Sequence, residues 1–308
     1  MARRSPASGL LWILMGLSLL DLSCGSSTSS QSSGNGSSSV PSQHARVQHV
    51  FIVVEENRNY SSVLGSADMP YLNGLATTYA YAKNYYADTH PSIGNYFMLT
   101  AGQIITNDDR FSGKVTDDNI VRRLIKAGKT WKEYSEDLPS VGFTGGDSGG
   151  YVRHHNPLSY FSDVRDGSSQ AQNLVPFTQF ATDLQNHALP NYSFIVPNNQ
   201  DNAHDGSLAQ ADSWLQTNID PLIQSSDFNT PGGGLLIITF DESGSDKTHG
   251  GGHVLWVIVG PGVKKGYTST ATYQHASTLR FMTETIGITE FPGAAASAPD
   301  MGEFFSGD

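Results

Sequence analysis

Four runs of this chain are apolar almost without interruption and rich in β-branched residues: Val47 to Val54 (VQHVFIVV), Tyr192 to Val196 (YSFIV), Leu235 to Phe240 (LLIITF) and Val254 to Val259 (VLWVIV). A strand with one wet face alternates apolar and polar residues; an unbroken apolar run marks a strand covered on both faces. Helical patterns separate these runs: Met69 to Tyr86, Ser92 to Ala101, Asn119 to Ala127 (amphipathic, stopped by Gly128), Phe177 to His187, Leu208 to Ile223 with Pro221 inside, and His275 to Ile286. Thr130 to Tyr134 reads as one more strand. Buried strands alternating with helices predict an α/β fold, three layers αβα, with a mostly parallel central sheet. Ligands in such folds bind beyond the carboxyl ends of the strands, and polar residues follow them here: Glu55-Glu56-Asn57, Pro197 to Asp205 and Asp241-Glu242.

Composition narrows the function. The 18 Lys and Arg against 29 Asp and Glu leave a formal charge of −11, the wrong sign for a general nucleic-acid binder. A single cysteine excludes an intramolecular disulfide framework and a Cys-rich zinc cluster. At 308 residues, 38% hydrophobic and 15% charged, the chain can bury a large core.

The amino terminus has the layout of an export signal. Arg3 and Arg4 precede an 11-residue apolar run, Leu10 to Leu20, too short to span a bilayer. Leu20 to Gly25 (LDLSCG) resembles a bacterial lipoprotein box around Cys24, although Asp21 stands where that pattern wants an aliphatic residue. Residues 25–43 hold 13 Ser or Gly in 19, a composition that cannot bury enough surface to fold. The expected organisation is a signal peptide at 1–24, a flexible tether at 25–45 and a single catalytic domain at 46–308. Export from a bacterial cytoplasm is expected, ending either in a lipid anchor on Cys24 or in cleavage and secretion. A monomer is expected.

Five segments carry the chemistry. Glu55-Glu56-Asn57 and Asp241-Glu242 both put carboxylates at the ends of buried strands, where like charges repel unless a cation lies between them. A divalent metal is the simple answer, against the alternative of solvated loop acids. In Thr89 to Tyr96 (THPSIGNY), Pro91 ends the preceding geometry and Ser92 starts a helix. There a hydroxyl sits among free N–H groups, as a nucleophile attacking phosphorus would need; the plainer alternative is a helix cap. Arg153-His154-His155-Asn156-Pro157 and Asn202-Ala203-His204-Asp205-Gly206 are loops with histidines, which are often merely solvated. His249 and His253 flank three glycines that forbid a zinc-binding helix, and a flexible loop there would bring either histidine over the site.

Taken in order, EEN after the first strand, THPSIGNY, RHHNP, HDG, and TFDES followed by GGGHV resemble the bacterial phosphoesterase family of acid phosphatases and phosphocholine-type phospholipases C, in the alkaline-phosphatase-like superfamily. The resemblance runs from about Gln48 to Ile286. It implies one divalent metal on Glu56, Asn57, Asp241 and Glu242, Ser92 as the phosphorylated nucleophile, and His155 and His204 on the phosphoryl oxygens, with His253 a further candidate. Acid phosphatases of this type often carry two aspartates where this chain has Asp241-Glu242. The oxygen-only donor set suits Ca²⁺, Mg²⁺ or Mn²⁺ better than Zn²⁺. No segment resembles the large carboxy-terminal domains of the bigger phospholipases, so a catalytic core alone is expected.

A metal-dependent phosphomonoesterase is therefore expected, acting on a small phosphate ester. A phospholipase C acting on a phospholipid head group is the alternative, with Tyr85, Tyr86, Tyr96, Tyr151 and Tyr160 available to box a choline. A non-catalytic ligand-binding lipoprotein is the alternative of another class. Gly146 to Gly150 (GDSGG) imitates the trypsin-type nucleophile motif, but strand–helix alternation contradicts that all-β fold.

Overall fold

The computed structural model describes residues 46–167 and 169–306. The expected signal peptide, Cys24 and the tether at 25–45 lie outside the described residues.

Strand β1 (His49–Glu55) lies at the centre of the sheet, with Val50 to Val54 wholly buried. It pairs in parallel with β5 (Tyr192–Val196) on one side and β6 (Gly234–Phe240) on the other. Beyond β5 come β3 (Trp131–Ser135) and β4 (Leu174–Pro176), both parallel. Beyond β6 the sheet continues through β8 (Trp256–Val259), β2 (Ala80–Ala87) and β7 (Gly252–His253), with β9 (Tyr267–Gln274) on β2. Only β7 and β8 run antiparallel to their neighbours. Helices flank this sheet as expected: α1 (Tyr60–Val63), α2 (Pro70–Thr78), α3 (Ser92–Ala101), α4 (Ile120–Lys126), α5 (Ser162–Arg165), α6 (Thr178–Gln185), α7 (Leu208–Gln224), α8 (Ser226–Asn229) and α9 (His275–Thr285). Helix α2 packs on α7, and α3 on α9. No helix among the described residues is long and apolar enough to cross a membrane.

Two readings of the sequence need correction. Met69 to Tyr86 is not one helix: α2 stops at Thr78 and Ala80–Ala87 is strand β2. The period changes there from helical to two. Ala80, Ala82, Tyr85 and Ala87 are buried while Lys83 is exposed, and a register shift near Ala82 interrupts the alternation. The VLWVIV run is also broken, with Val254 and Leu255 between β7 and β8. Because β8 runs against β6, pairing Trp256 with Thr239 and Val259 with Leu236, its amino end meets the carboxyl edge of the parallel strands. Strand β9 (YTSTATYQ) is polar and had no apolar run to mark it.

The glycine run 250–252 is not a hinge. A Cβ at Gly250 would stand 2.0 Å from the Asp88 carbonyl oxygen, and one at Gly252 would stand 2.2 Å from Ser243 Oγ. Both residues also hold positive φ, 107° and 87°, so the run exists for close packing, Gly250 against the 88–89 turn and Gly252 against Ser243 and Asp246. The GDSGG segment is an ordinary loop, in which Asp147 accepts the Arg153 N–H at 2.9 Å.

Candidate active site

Strand register builds the acidic half of the site. Glu55 stands opposite Phe240, and the Asp241 N–H donates to the Glu55 carbonyl at 2.9 Å. The next residues, Glu56 and Asp241, are thereby side by side, both 0% exposed, with Glu242 at 6%. Asn57 takes a left-handed φ of 49°, which asparagine tolerates, and its N–H donates to Asp241 Oδ1 at 3.1 Å. Burial and the neighbouring Asp241 hold Glu56 well above the usual carboxylate range. Burial raises Asp241 to about 6, and burial with the Asp241 charge raises Glu242 to about 9. Asp241 Oδ2 is buried without a hydrogen-bond partner.

Helix α3 supplies the serine. Pro91 is the extended residue that precedes it and offers no capping side chain, so Ser92 is the first helical residue and not its cap. The Ser92 hydroxyl points to Glu56 Oε2 at 3.3 Å. Asn95 and Tyr96, three and four residues on, share that helix face. The Tyr96 hydroxyl donates to Glu56 Oε1, and the Asn95 amide reaches Glu242 Oε2 at 3.4 Å. One helical turn thus addresses both acid clusters.

The histidines divide. His155 is brought in: it is 1% exposed, stacks on Tyr96 at 5.3 Å, and holds Nε2 3.3 Å from Glu56 Oε1, out of line for a hydrogen bond. Burial, then His154 and His204, hold it well below the usual imidazole range, so it is neutral. His204 lies 6.1 Å from the His155 ring, and its side chain is 35% exposed. Its Nδ1 donates to Asp205 at 2.7 Å. Arg58 pins this loop through the carbonyls of Ala203 (2.5 Å) and Gly206 (3.0 Å). His253 is diverted: it stacks on Tyr60 at 4.0 Å, lies 4.9 Å from Tyr86, and donates from Nε2 to the Lys83 carbonyl at 2.7 Å.

Two histidines that sequence reasoning passed over are wired to the acids. His90 places Nδ1 2.9 Å from Glu242 Oε2 and Nε2 2.9 Å from the Asp246 carbonyl. A carbonyl can only accept, so Nε2 carries a proton and Nδ1 is the atom turned to Glu242. His275 donates from Nε2 to the Asp241 carbonyl at 2.6 Å and faces the Tyr85 hydroxyl at 2.9 Å. The signal for His90 was its place two residues before Ser92; His275 had none beyond starting a helix. The tyrosines weighed as a choline box are core: Tyr85, Tyr96, Tyr151 and Tyr160 are all buried, and Tyr86 packs on His249 and His253.

The donors fit a hard cation. Among the described residues no three His, Cys, Asp or Glu side chains converge as a ready cage; here the Asn57 amide and the Ser92 hydroxyl must complete the carboxylates. One edge of that amide lies 3.2 Å from Asp241 Oδ1 and 3.1 Å from Glu242 Oε1, and the other lies 3.3 Å from His204 Nε2. With its nitrogen toward the acids, the amide donates to both carboxylates and its oxygen accepts from His204 Nε2; with its oxygen turned to the acids, it would join the carboxylates as a further oxygen donor to a cation.

A serine hydroxyl at the start of a helix is thus directed at paired buried acids beyond the carboxyl ends of a mostly parallel sheet. The chain belongs to the phosphoesterase family, whose model matches residues 64–289. It is 34% identical over 257 residues to a phosphatidylinositol-3-phosphatase of Mycobacterium tuberculosis, covering 82% of this chain and 81% of that one. A probable acid phosphatase of Kluyveromyces lactis is 32% identical, over 76% of this chain but only 57% of its own length. Solved structures share the fold: an alkaline phosphatase superfamily protein from Vibrio parahaemolyticus (TM-score 0.57, 12% identity, 80% of this chain and 67% of that one) and a phosphonate monoester hydrolase from Silicibacter pomeroyi (TM-score 0.57, 15% identity, 85% and 77%).

Proposed function

We propose that this protein is a metal-dependent phosphomonoesterase that works through a phosphoserine on Ser92. The observation that carries the reading is the Ser92 hydroxyl, on the first residue of α3, 3.3 Å from Glu56 where β1 and β6 end together. Glu56, Asn57, Asp241 and Glu242 would hold one divalent cation, with Ca²⁺, Mg²⁺ or Mn²⁺ favoured over Zn²⁺. When bound, such a cation neutralises the buried acids and stabilises negative charge on the serine oxygen and the phosphoryl group.

The side chains do the rest. Ser92 Oγ forms a bond to phosphorus as the bond to the leaving alcohol breaks, and its proton leaves toward the Glu56 side. The N-terminal amides of α3 and His204 face the phosphoryl oxygens, and His155 packs on Tyr96 beside Glu56. The leaving alkoxide takes a proton from water, and a second water then cleaves the phosphoserine, releasing inorganic phosphate and restoring the hydroxyl. Positioning and charge stabilisation supply most of the rate in such chemistry.

The name of the mycobacterial relative joins the two substrate classes, because a 3-phosphate on phosphatidylinositol is a monoester on a phospholipid head group. With a chromogenic phosphomonoester, Ser92→Ala and chelation should each abolish turnover while the fold is kept. A Ser92→Ala variant retaining more than about a tenth of the rate, a loss below ~1.4 kcal/mol, rejects this nucleophile. Export, with a lipid on Cys24 or with release after cleavage, belongs to the same reading. Mass spectrometry of the mature amino terminus separates the two outcomes, and an intact Met1 terminus on the native protein contradicts both.

A further inference from the structure

The loop after α3 returns over the nucleophile. Phe111 anchors it beside Tyr160 (5.8 Å) and Phe97 (6.5 Å). Asn107 Oδ1 lies 2.2 Å from where a Cβ on Gly94 would stand, so the glycine lets the loop sit close on the first turn of α3. From this loop Asp109 Oδ1 accepts the Ile93 N–H at 3.1 Å. Ile93 directly follows Ser92, and its amide is among those with no partner inside the helix. The groups facing Asp109 are Glu242, whose carboxyl it helps to raise, His154 and Tyr160. Arg110 beside it turns to Asp108 at 3.2 Å.

An oxygen of a phosphoryl group arriving on Ser92 would seek the helix N-terminal amides. Asp109 already occupies one of them with a carboxylate. We propose that Asp109 is a charge-selecting residue of this site: it competes with phosphate for the Ile93 amide and penalises a dianionic phosphoryl group more than a monoanionic one. This rests on Ser92 being the nucleophile, and it adds a determinant of which ester charge state binds.

The test uses the full chain loaded with its metal. KM and kcat are measured for a dianionic aryl phosphate and a monoanionic aryl diester at one pH, together with inhibition by inorganic phosphate. Asp109→Asn should lower KM for the monoester and Ki for phosphate by about tenfold, or ~1.4 kcal/mol. The diester KM and the monoester kcat should move less than about twofold, and Asp109→Glu should restore the wild-type selectivity. Asp109→Ser gives the same reading should the Asn variant not fold. A fall in kcat with KM and Ki unchanged overturns the proposal in favour of a positioning role, and loss of bound metal overturns it in favour of a ligand. Ser92→Ala separates the two claims. If that variant is inactive while Asp109→Asn leaves KM and Ki unmoved, the charge selection fails alone; if Ser92→Ala stays active, the nucleophile reading fails.

Discussion

The acidic and histidine halves of this site are built by different means. Glu56 and Asp241 are placed by the pairing of β1 with β6, and nothing in that register is free to vary without unpairing buried strands. His155 sits on a 3-10 turn, His204 on a loop held by Arg58, and His253 on a short antiparallel strand. Strand ends fix a side chain through the backbone; loops fix it through contacts that must each be found. The acid half should therefore be brittle and the histidine half graded.

Asp241→Ala breaks the acid half and is the largest effect expected. It removes a carboxylate that touches the Asn57 amide and lies beside Glu56 and Ser92, so bound metal and at least about a thousandfold of the rate should go together. Retained metal with lost activity would move Asp241 out of the donor set.

Substituting histidines sharpens the grading. His204→Gln should cost about a hundredfold in kcat/KM, as loss of one oriented donor does. His253→Ala should cost less than about threefold, since the ring serves Tyr60, Tyr86 and the Lys83 carbonyl. Equal losses from the two variants would contradict this division.

The smallest effect concerns the support under the histidine turn. Glu133 is wholly buried, accepts the Leu158 N–H at 3.1 Å, and is pushed by burial from 4.5 to about 8. Its folded pKa lies above its unfolded one, so the stability it permits is complete below about 4.5 and declines as pH rises toward about 8. Glu133→Gln should melt on the order of 10 °C above wild type at pH 8, at about 2–4 °C per kcal/mol, and should match it near pH 4.5. A pH-independent difference would mean that the carboxyl is already neutralised by a partner.

The same contrast explains what the sequence could show. Apolar runs announced β1, β5 and β6, and the acids after them followed from the rule about strand ends. Ser92 to Ala101 was legible because Pro91 fixes where the helix starts. β2 was hidden, since its tyrosines and alanines fit a helix as well as a strand, and β9 was hidden by its threonines and serine. The partners of His90, His253 and His275 depend on contacts 34 to 190 residues away in the chain, and no local pattern encodes them.

The central claim is that Ser92 carries the phosphoryl group, and acid-quenched turnover tests it most directly. Metal-loaded protein mixed with excess phosphomonoester, quenched in acid and digested, should yield the peptide containing Ser92 with one phosphate on that serine. A phosphate recovered on His155 or His204, or an unmodified Ser92 peptide during steady turnover together with inversion at a chiral phosphorus, would contradict the account.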